Sequence, residues 1–240
     1  MAVIFTTTRY ISRDHRLDLA LQASEAAQAM GYEMVVVDSS PKESQTQRDF
    51  EERGATFIRQ VGEGMGSARR QALQAALATN HETFVWLEPE KSRLVPLLDQ
   101  SIELIESGSY DLVVPRRQCL DSYPTHQQLC ELSGNWQVGN FTGRPDLDLW
   151  FGPRLMNRAG AELFLSYDGQ YGDRWDSIFV PVARALALGL KVGSSLVDYQ
   201  HPPSQTIAEE GDAEMNRKRD IQLEELVEAM RIECRKLRLP

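Results

Sequence analysis

TFVWL, residues 83–87, is a short apolar run that halts at EPE, residues 88–90, two carboxylates separated by a proline, with Lys91 next. A run of that length, bounded by turn residues, predicts a buried strand. Glu88-Pro89-Glu90 then sets negative charge where the strand leaves the sheet, a place for a divalent cation and a diphosphate. Proline and acidic residues also make an ordinary solvated turn. The choice between the two rests on what stands at the ends of the neighbouring strands.

On both sides of this segment strand-like and helix-like stretches alternate. Residues 2–6, 33–37, 56–60 and 111–114 read as strands, the last stopped by Pro115. Residues 17–30, 45–53, 67–79 and 94–106 read as helices, three of them closed by Gly31, Gly54 and Gly108. That alternation predicts an α/β fold, a mostly parallel sheet with helices on both faces and right-handed crossovers. The second half is less regular. It predicts a helix over 122–132, a loop over 134–148 and a strand over 149–156 around Gly152-Pro153. Helices over 158–165 and 175–188, a strand over 191–197 and a loop at His201-Pro202-Pro203 follow. From 209 to 237 the chain is charged and helical. Leu223, Leu226, Val227, Met230, Cys234 and Leu237 make a narrow apolar seam there, suited to packing on the sheet or to a homodimer contact.

With 240 residues the chain can bury a substantial core. A formal charge of −9 argues against general nucleic-acid binding, which needs a basic surface. Cys119, Cys130 and Cys234 show no Cys-x-x-Cys spacing, which argues against a disulfide framework or a thiolate zinc cluster and for a reducing cytoplasm. AVIF at residues 2–5 is too short for a signal-peptide core, and no apolar run has the length of a membrane span. A cytoplasmic protein is expected.

In an open parallel sheet, ligands bind beyond the carboxyl ends of the strands. Those ends carry Thr6-Thr7-Thr8-Arg9, Asp38-Ser39-Ser40, the loop Gly62-Glu63-Gly64-Met65-Gly66, Glu88-Pro89-Glu90 and Arg116-Arg117. One polar exit is routine, whereas five on one edge predict a site of nucleotide size. Glycines let backbone N–H groups approach an anion, and the following helix start adds a favourable dipole. Arg69 and Arg70 stand in that helix's first turn, a poor place for cations unless a phosphate is bound there. A solvated helix start is the plain alternative.

Further segments extend the series: VVVDSS (35–40), GMGSARRQ (64–71), YDLVVPRR (110–117), FGPRLMNR (151–158), YGDRWD (171–176) and the late His201. With FVWLEPE (84–90) they resemble, in order and spacing, the GT-A glycosyltransferases, especially the family-2-like group and the mannosylglycerate-synthase type. The resemblance runs from residue 1 to about 205. It implies a GT-A fold and transfer of a sugar from a nucleotide-sugar donor to a small soluble acceptor. It also implies that Asp38 meets the base or ribose, with Thr6, Thr7 and Thr8 lining the same pocket, and that Gly64 and Arg69 or Arg70 meet the nucleotide. Glu88 and Glu90 stand where an Asp-x-Asp pair holds Mg²⁺ or Mn²⁺ against the diphosphate, with His201 as a third ligand. Asp173, ahead of Asp176, takes the place of the base that deprotonates the acceptor hydroxyl. Helix capping is the structural alternative for Asp173, and simple exposure is the alternative for His201. Trp150, Tyr171 and Trp175 are candidates to stack on sugar faces, and Arg144 and Arg154 to meet an acidic acceptor.

Glu-Pro-Glu departs from Asp-x-Asp. Each glutamate adds a methylene, so a cation sits farther out or takes one carboxylate only, and metal-independent or inactive variants stay open. The expected organisation is a catalytic domain over 1–205, with a nucleotide-binding half (1–117) and an acceptor-side half (118–205), then a helical extension over 206–240. Two other readings remain: a non-catalytic nucleotide or sugar binder, and a sugar nucleotidyltransferase. The latter wants a glycine-rich loop after the first strand, and residues 6–11 contain no glycine.

Overall fold

The computed structural model describes residues 2–42 and 45–240. Among these, one sheet holds β1 (Ala2–Thr8), β2 (Glu33–Asp38), β3 (Thr56–Arg59), β4 (Thr83–Trp86), β5 (Leu112–Arg117), β6 (Arg154–Met156) and β7 (Val192–Val197). The strand order is β3-β2-β1-β4-β6-β5-β7. All neighbours are parallel except β6, which runs antiparallel to β4 and β5. The α/β class, the mostly parallel sheet and the C-terminal helical arm are as the sequence predicts.

Strand residues alternate between two cores, as a period of two requires. In β1, Val3 and Phe5 enter one core and Ala2 and Ile4 the other. Both faces are covered, which is why these strands read as unbroken apolar runs. The first core takes in α3 (Met65–Leu77), α6 (Arg158–Leu165) and α7 (Asp176–Ala187). The second takes in α1 (His15–Ala29), a 3₁₀ turn (Ser92–Leu97) and α4 (Asp99–Glu106). A short α2 (Thr46–Glu51) precedes β3.

The second half corrects three expectations. First, the loop expected over 134–148 is mostly helix: α5 runs Thr125–Thr142. Its glycines are packing sites, because a Cβ on Gly134 would collide with the Trp150 ring and one on Gly139 would meet Pro145 Cα at 3.0 Å. Second, the strand expected over 149–156 shrinks to Arg154–Met156. Gly152 lies against the Glu88 side chain instead, where a Cβ would clash. Third, Pro115 does not end β5. It pairs with Ser195 beyond the residues that pair with β6, where one side of the strand is open and a proline is tolerated.

The C-terminal stretch divides into α8 (Pro203–Glu209) and α9 (Ala213–Leu237), with Gly211 between them at φ +75°. α9 starts on Asp212, whose carboxylate accepts from the N–H groups of Glu214 and Met215. Its apolar seam turns inward: Leu226, Met230 and Cys234 are buried in the first core, and the helix packs on α5 and α7. Among the described residues no helix is long and apolar enough to cross a membrane.

Candidate active site

A cavity of about 770 Å³ opens beyond the carboxyl ends of β1, β2, β3 and β4. Thr7 and Thr8 enter it from β1 and Tyr10 from just beyond, Ser39 from the turn after β2, Gly62 and Gly64 from the loop after β3, and Glu88 and Glu90 from the turn after β4. The opposite wall comes from the second half of the chain: Trp175, His201, and Lys218, Arg219 and Gln222 of α9. Around the cavity cations outnumber carboxylates (Arg9, Arg16, Arg69, Lys91, Lys218 and Arg219 against Glu63, Glu88, Glu90 and Glu209), although the protein carries −9 overall.

Of the residues singled out in the sequence, Thr7, Thr8, Gly64, Arg69, Glu88, Glu90 and His201 line this one cavity. Thr6, Asp38, Arg70, Asp173 and Asp176 do not, and each has a packing or hydrogen-bonding reason. Thr6 donates its hydroxyl to the Leu87 carbonyl at 2.6 Å, tying β1 to the end of β4. Asp38 is fully buried, and its carboxylate accepts from Thr8 Oγ1 (2.7 Å), Ser40 N (3.0 Å), Ser40 Oγ (2.6 Å) and Arg59 (2.8 Å). So many donors leave little capacity for a ligand, and from β2 it is Ser39 that reaches the cavity. Arg70 forms a bidentate pair with Asp173 at 2.6 and 2.8 Å. Asp173 sits at φ +55°, a left-handed conformation that Asp tolerates better than most residues. Its carbonyl accepts from Gly66 N, fastening the start of α3 to the segment before α7. Asp176 is buried, accepting from the Tyr167 hydroxyl at 2.5 Å and from Arg174 N at 2.6 Å.

Arg69 is 7% exposed and lies between Trp86 and Trp175, its guanidinium 5.0 and 5.4 Å from their rings. It donates to the Arg174 carbonyl and Ser177 Oγ, but among the described residues its Nε has no partner and no carboxylate stands within ion-pair distance. Burial pulls its pKa down to about 10, so it is still a cation at neutral pH. Glu88, Asp176 and Asp173 offset part of that cost from beyond ion-pair distance, and burial still outweighs them.

Glu88 pairs with Lys91 at 3.2 Å, and Glu90 with Arg16 at 2.7 Å and the Tyr10 hydroxyl at 3.4 Å. Lys91 is flanked by the rings of Tyr123, Phe151 and Tyr199 at 5.2–5.8 Å. Burial works against its charge, yet Glu88 and the phenol groups hold its pKa well above the ordinary value. His201 is 5% exposed, not a loose loop residue. It stacks on Tyr123 at 4.3 Å, its backbone N–H donates to Ser122 Oγ, and neither ring nitrogen has a partner among the described residues. Burial, then the charges of Lys91, Arg219 and Arg117, push its pKa down to about 3, so the ring is neutral with a free lone pair.

In type, these donors fit a divalent cation: carboxylate oxygens suit Mg²⁺ or Mn²⁺, and an imidazole favours Mn²⁺ of the two. The unpartnered nitrogens of His201 in a cavity that Glu88 and Glu90 also line are the observation that supports the fit. The three side chains are not drawn into one shell, however, since their ligand atoms do not all lie within 4.8 Å of one another.

Other candidates serve the scaffold. Arg154 is wholly buried and donates to the carbonyls of Leu149, Phe151, Pro153 and Ile178, which removes it from any acceptor. Arg144 forms a bidentate pair with Asp146, and Tyr171 bonds Glu233 of α9. Arg117 is buried between Asp148 and Glu131, joining β5 to α5. Sequence reading missed Arg16, Lys91, Lys218 and Arg219 as cavity residues. Lys91 alone left a trace, its i,i+3 spacing from Glu88.

No family model and no curated protein sequence matches the chain. Solved structures do. Mannosyl-3-phosphoglycerate synthase from Rubrobacter xylanophilus superposes with a TM-score of 0.65 at 15% identity, covering 98% of this chain and 74% of that one. Glucosyl-3-phosphoglycerate synthase from Mycobacterium tuberculosis, in complex with Mn²⁺, UDP-glucose and phosphoglyceric acid, gives 0.62 at 13% identity, covering 99% and 80%. The same enzyme with Mg²⁺ and UDP gives 0.55 at 13% identity, covering 99% and 80%. At such identities the likeness establishes the fold, which is that of GT-A glycosyltransferases.

Proposed function

We propose that this chain is a glycosyltransferase that moves a sugar from a nucleoside-diphosphate donor to a small, negatively charged acceptor. The observation that carries this is the cavity itself. It has the volume of a site for a drug-sized ligand and sits where open α/β sheets bind ligands. Its lining includes the buried Arg69 as well as Lys218, Arg219 and Arg16. The Mycobacterium tuberculosis enzyme of the same fold was solved in complex with UDP-glucose and phosphoglyceric acid, the kind of ligand pair such a lining would neutralise.

In this reading Thr7, Thr8 and Ser39 hold the nucleoside, with Asp38 fixing the turn that presents Ser39. Arg69 and the glycine loop face the diphosphate. Lys218 and Arg219 draw in the acceptor's acidic group. Glu90 and His201, with Glu88, would hold a Mg²⁺ or Mn²⁺ ion, which when bound stabilises the departing diphosphate. Asp173 and Asp176 act from behind the wall, Asp173 by locking Arg70 and the start of α3. Residues 1–117 form the donor half and 118–205 the acceptor half, with 206–240 closing the cavity.

The Glu88–Lys91 and Glu90–Arg16 pairs favour a second reading, a nucleotide or sugar binder that supplies its own cations and transfers nothing. One assay separates the two. Purified chain is offered UDP- and GDP-sugars with phosphoglycerate or related small acids, in Mn²⁺ or in EDTA, and nucleoside diphosphate release is followed. The transferase reading expects release that needs an acceptor and is lost in EDTA and in Glu90→Gln. Nucleotide binding indifferent to EDTA, without release from any donor, would establish the binder.

A further inference from the structure

Beside the cavity, α5 and α9 bring together three side chains that the proposed reaction does not use. His126 and Cys130 are four residues apart on α5 and so share a face, and Asp220 meets them from α9. His126 Nε2 lies 2.8 Å from an Asp220 carboxylate oxygen, and Cys130 Sγ donates to the same oxygen at 3.6 Å. The three ligand atoms all lie within 4.8 Å of one another. Cys130 is buried, while the His126 and Asp220 side chains are 35% and 53% exposed, which leaves a path for an ion to enter. Cysteine spacing argues against a zinc thiolate cluster, but a single thiolate completed from another helix is invisible to that test.

We propose that His126, Cys130 and Asp220 form a transition-metal site of the Zn²⁺ type that clamps α9 to α5. Nitrogen, sulfur and oxygen donors in one triad suit Zn²⁺, whereas Mg²⁺ and Ca²⁺ want oxygen alone. Tetrahedral Zn²⁺ with bonds of about 2.0–2.3 Å holds its ligand atoms roughly 3.3–3.8 Å apart. The sulfur–oxygen separation already falls there. The nitrogen–oxygen pair need open by only about half an ångström as its hydrogen bond gives way to two bonds to the metal. Cys130 binds as thiolate, its proton passing to solvent, His126 binds as neutral imidazole, and water takes the fourth position. Asp220 immediately follows Lys218 and Arg219 on α9, and Gln127 on α5 lines the cavity as they do. The ion would therefore fix the segment of α9 that borders the cavity.

Full-length protein stripped of metal and titrated with Co²⁺, then Zn²⁺, tests this. One equivalent of Co²⁺ should bind with a sulfur-to-cobalt charge-transfer band that Zn²⁺ bleaches. The band should be kept in His201→Ala and lost in Cys130→Ser. Asp220→Asn, an exposed change that spares the fold, should weaken Zn²⁺ binding by about tenfold or more. Absence of the band in the unaltered chain overturns the proposal. So does a band that survives Cys130→Ser, since Cys119 or Cys234 would then supply the sulfur, or Zn²⁺ affinity unchanged in Asp220→Asn.

Discussion

Arg69 and His201 are the two side chains whose condition in the folded chain is hardest to explain without a ligand. Arg69→Met keeps much of the volume between Trp86 and Trp175 and removes the charge. Nucleotide affinity by calorimetry should fall tenfold or more, about 1.4 kcal/mol. The melting temperature should hold or rise, because burying the charge costs more than Glu88, Asp176 and Asp173 return; a fall in both would make Arg69 a structural residue. His201 gives a pH signature in metal-free protein. Its pKa is about 3 folded against 6.5 unfolded, so between these values the unfolded chain binds the extra proton. Its contribution is intact above pH 6.5 and is lost as pH falls toward about 3. His201→Gln should flatten that part of the urea-midpoint profile, and parallel profiles for the two proteins would contradict the assignment. The sequence announced both residues, one by its place after a glycine loop and the other by following the last strand. It also put Asp38 in the pocket, but Thr8, Ser40 and Arg59 absorb that carboxylate, a contact network that no spacing reveals.

Elements of the first half were legible because each strand ends in a polar exit and three of the four helices have a glycine stop. α5 was not. Gly134, Asn135, Gly139 and Asn140 have the composition of a loop, and only the approach of Trp150 and Pro145 explains glycine inside a helix. That account has a sign that can be checked. In an exposed helix Gly→Ala stabilises by up to about 1 kcal/mol. Gly134→Ala should instead destabilise by roughly 1–3 kcal/mol, since the added methyl overpacks against the Trp150 ring. Denaturant unfolding of Gly134→Ala beside Gly134→Ala/Trp150→Leu separates propensity from clash, and the double variant should recover part of the loss. A stabilised single variant would refute the packing account. α9 was visible as an amphipathic helix, but its destination was not. The seam alone suits the sheet or a second copy equally, and only the fold shows it buried on α5 and α7.

At the scale of the whole molecule, a chain of net charge −9 concentrates cations in one cleft between its two halves. Half of that cleft was readable, because the ends of parallel strands must share an edge. The other half was not, because Arg16, Lys218 and Arg219 come from helices whose distance from those strands the sequence leaves open. Calorimetric titration of UDP and GDP into the protein, in Mn²⁺ and again in EDTA, tests the use of that cleft most directly. The account predicts one nucleotide bound per chain, at least tenfold more tightly with Mn²⁺ than in EDTA. Failure of both nucleotides to bind, with the metal or without it, would contradict it.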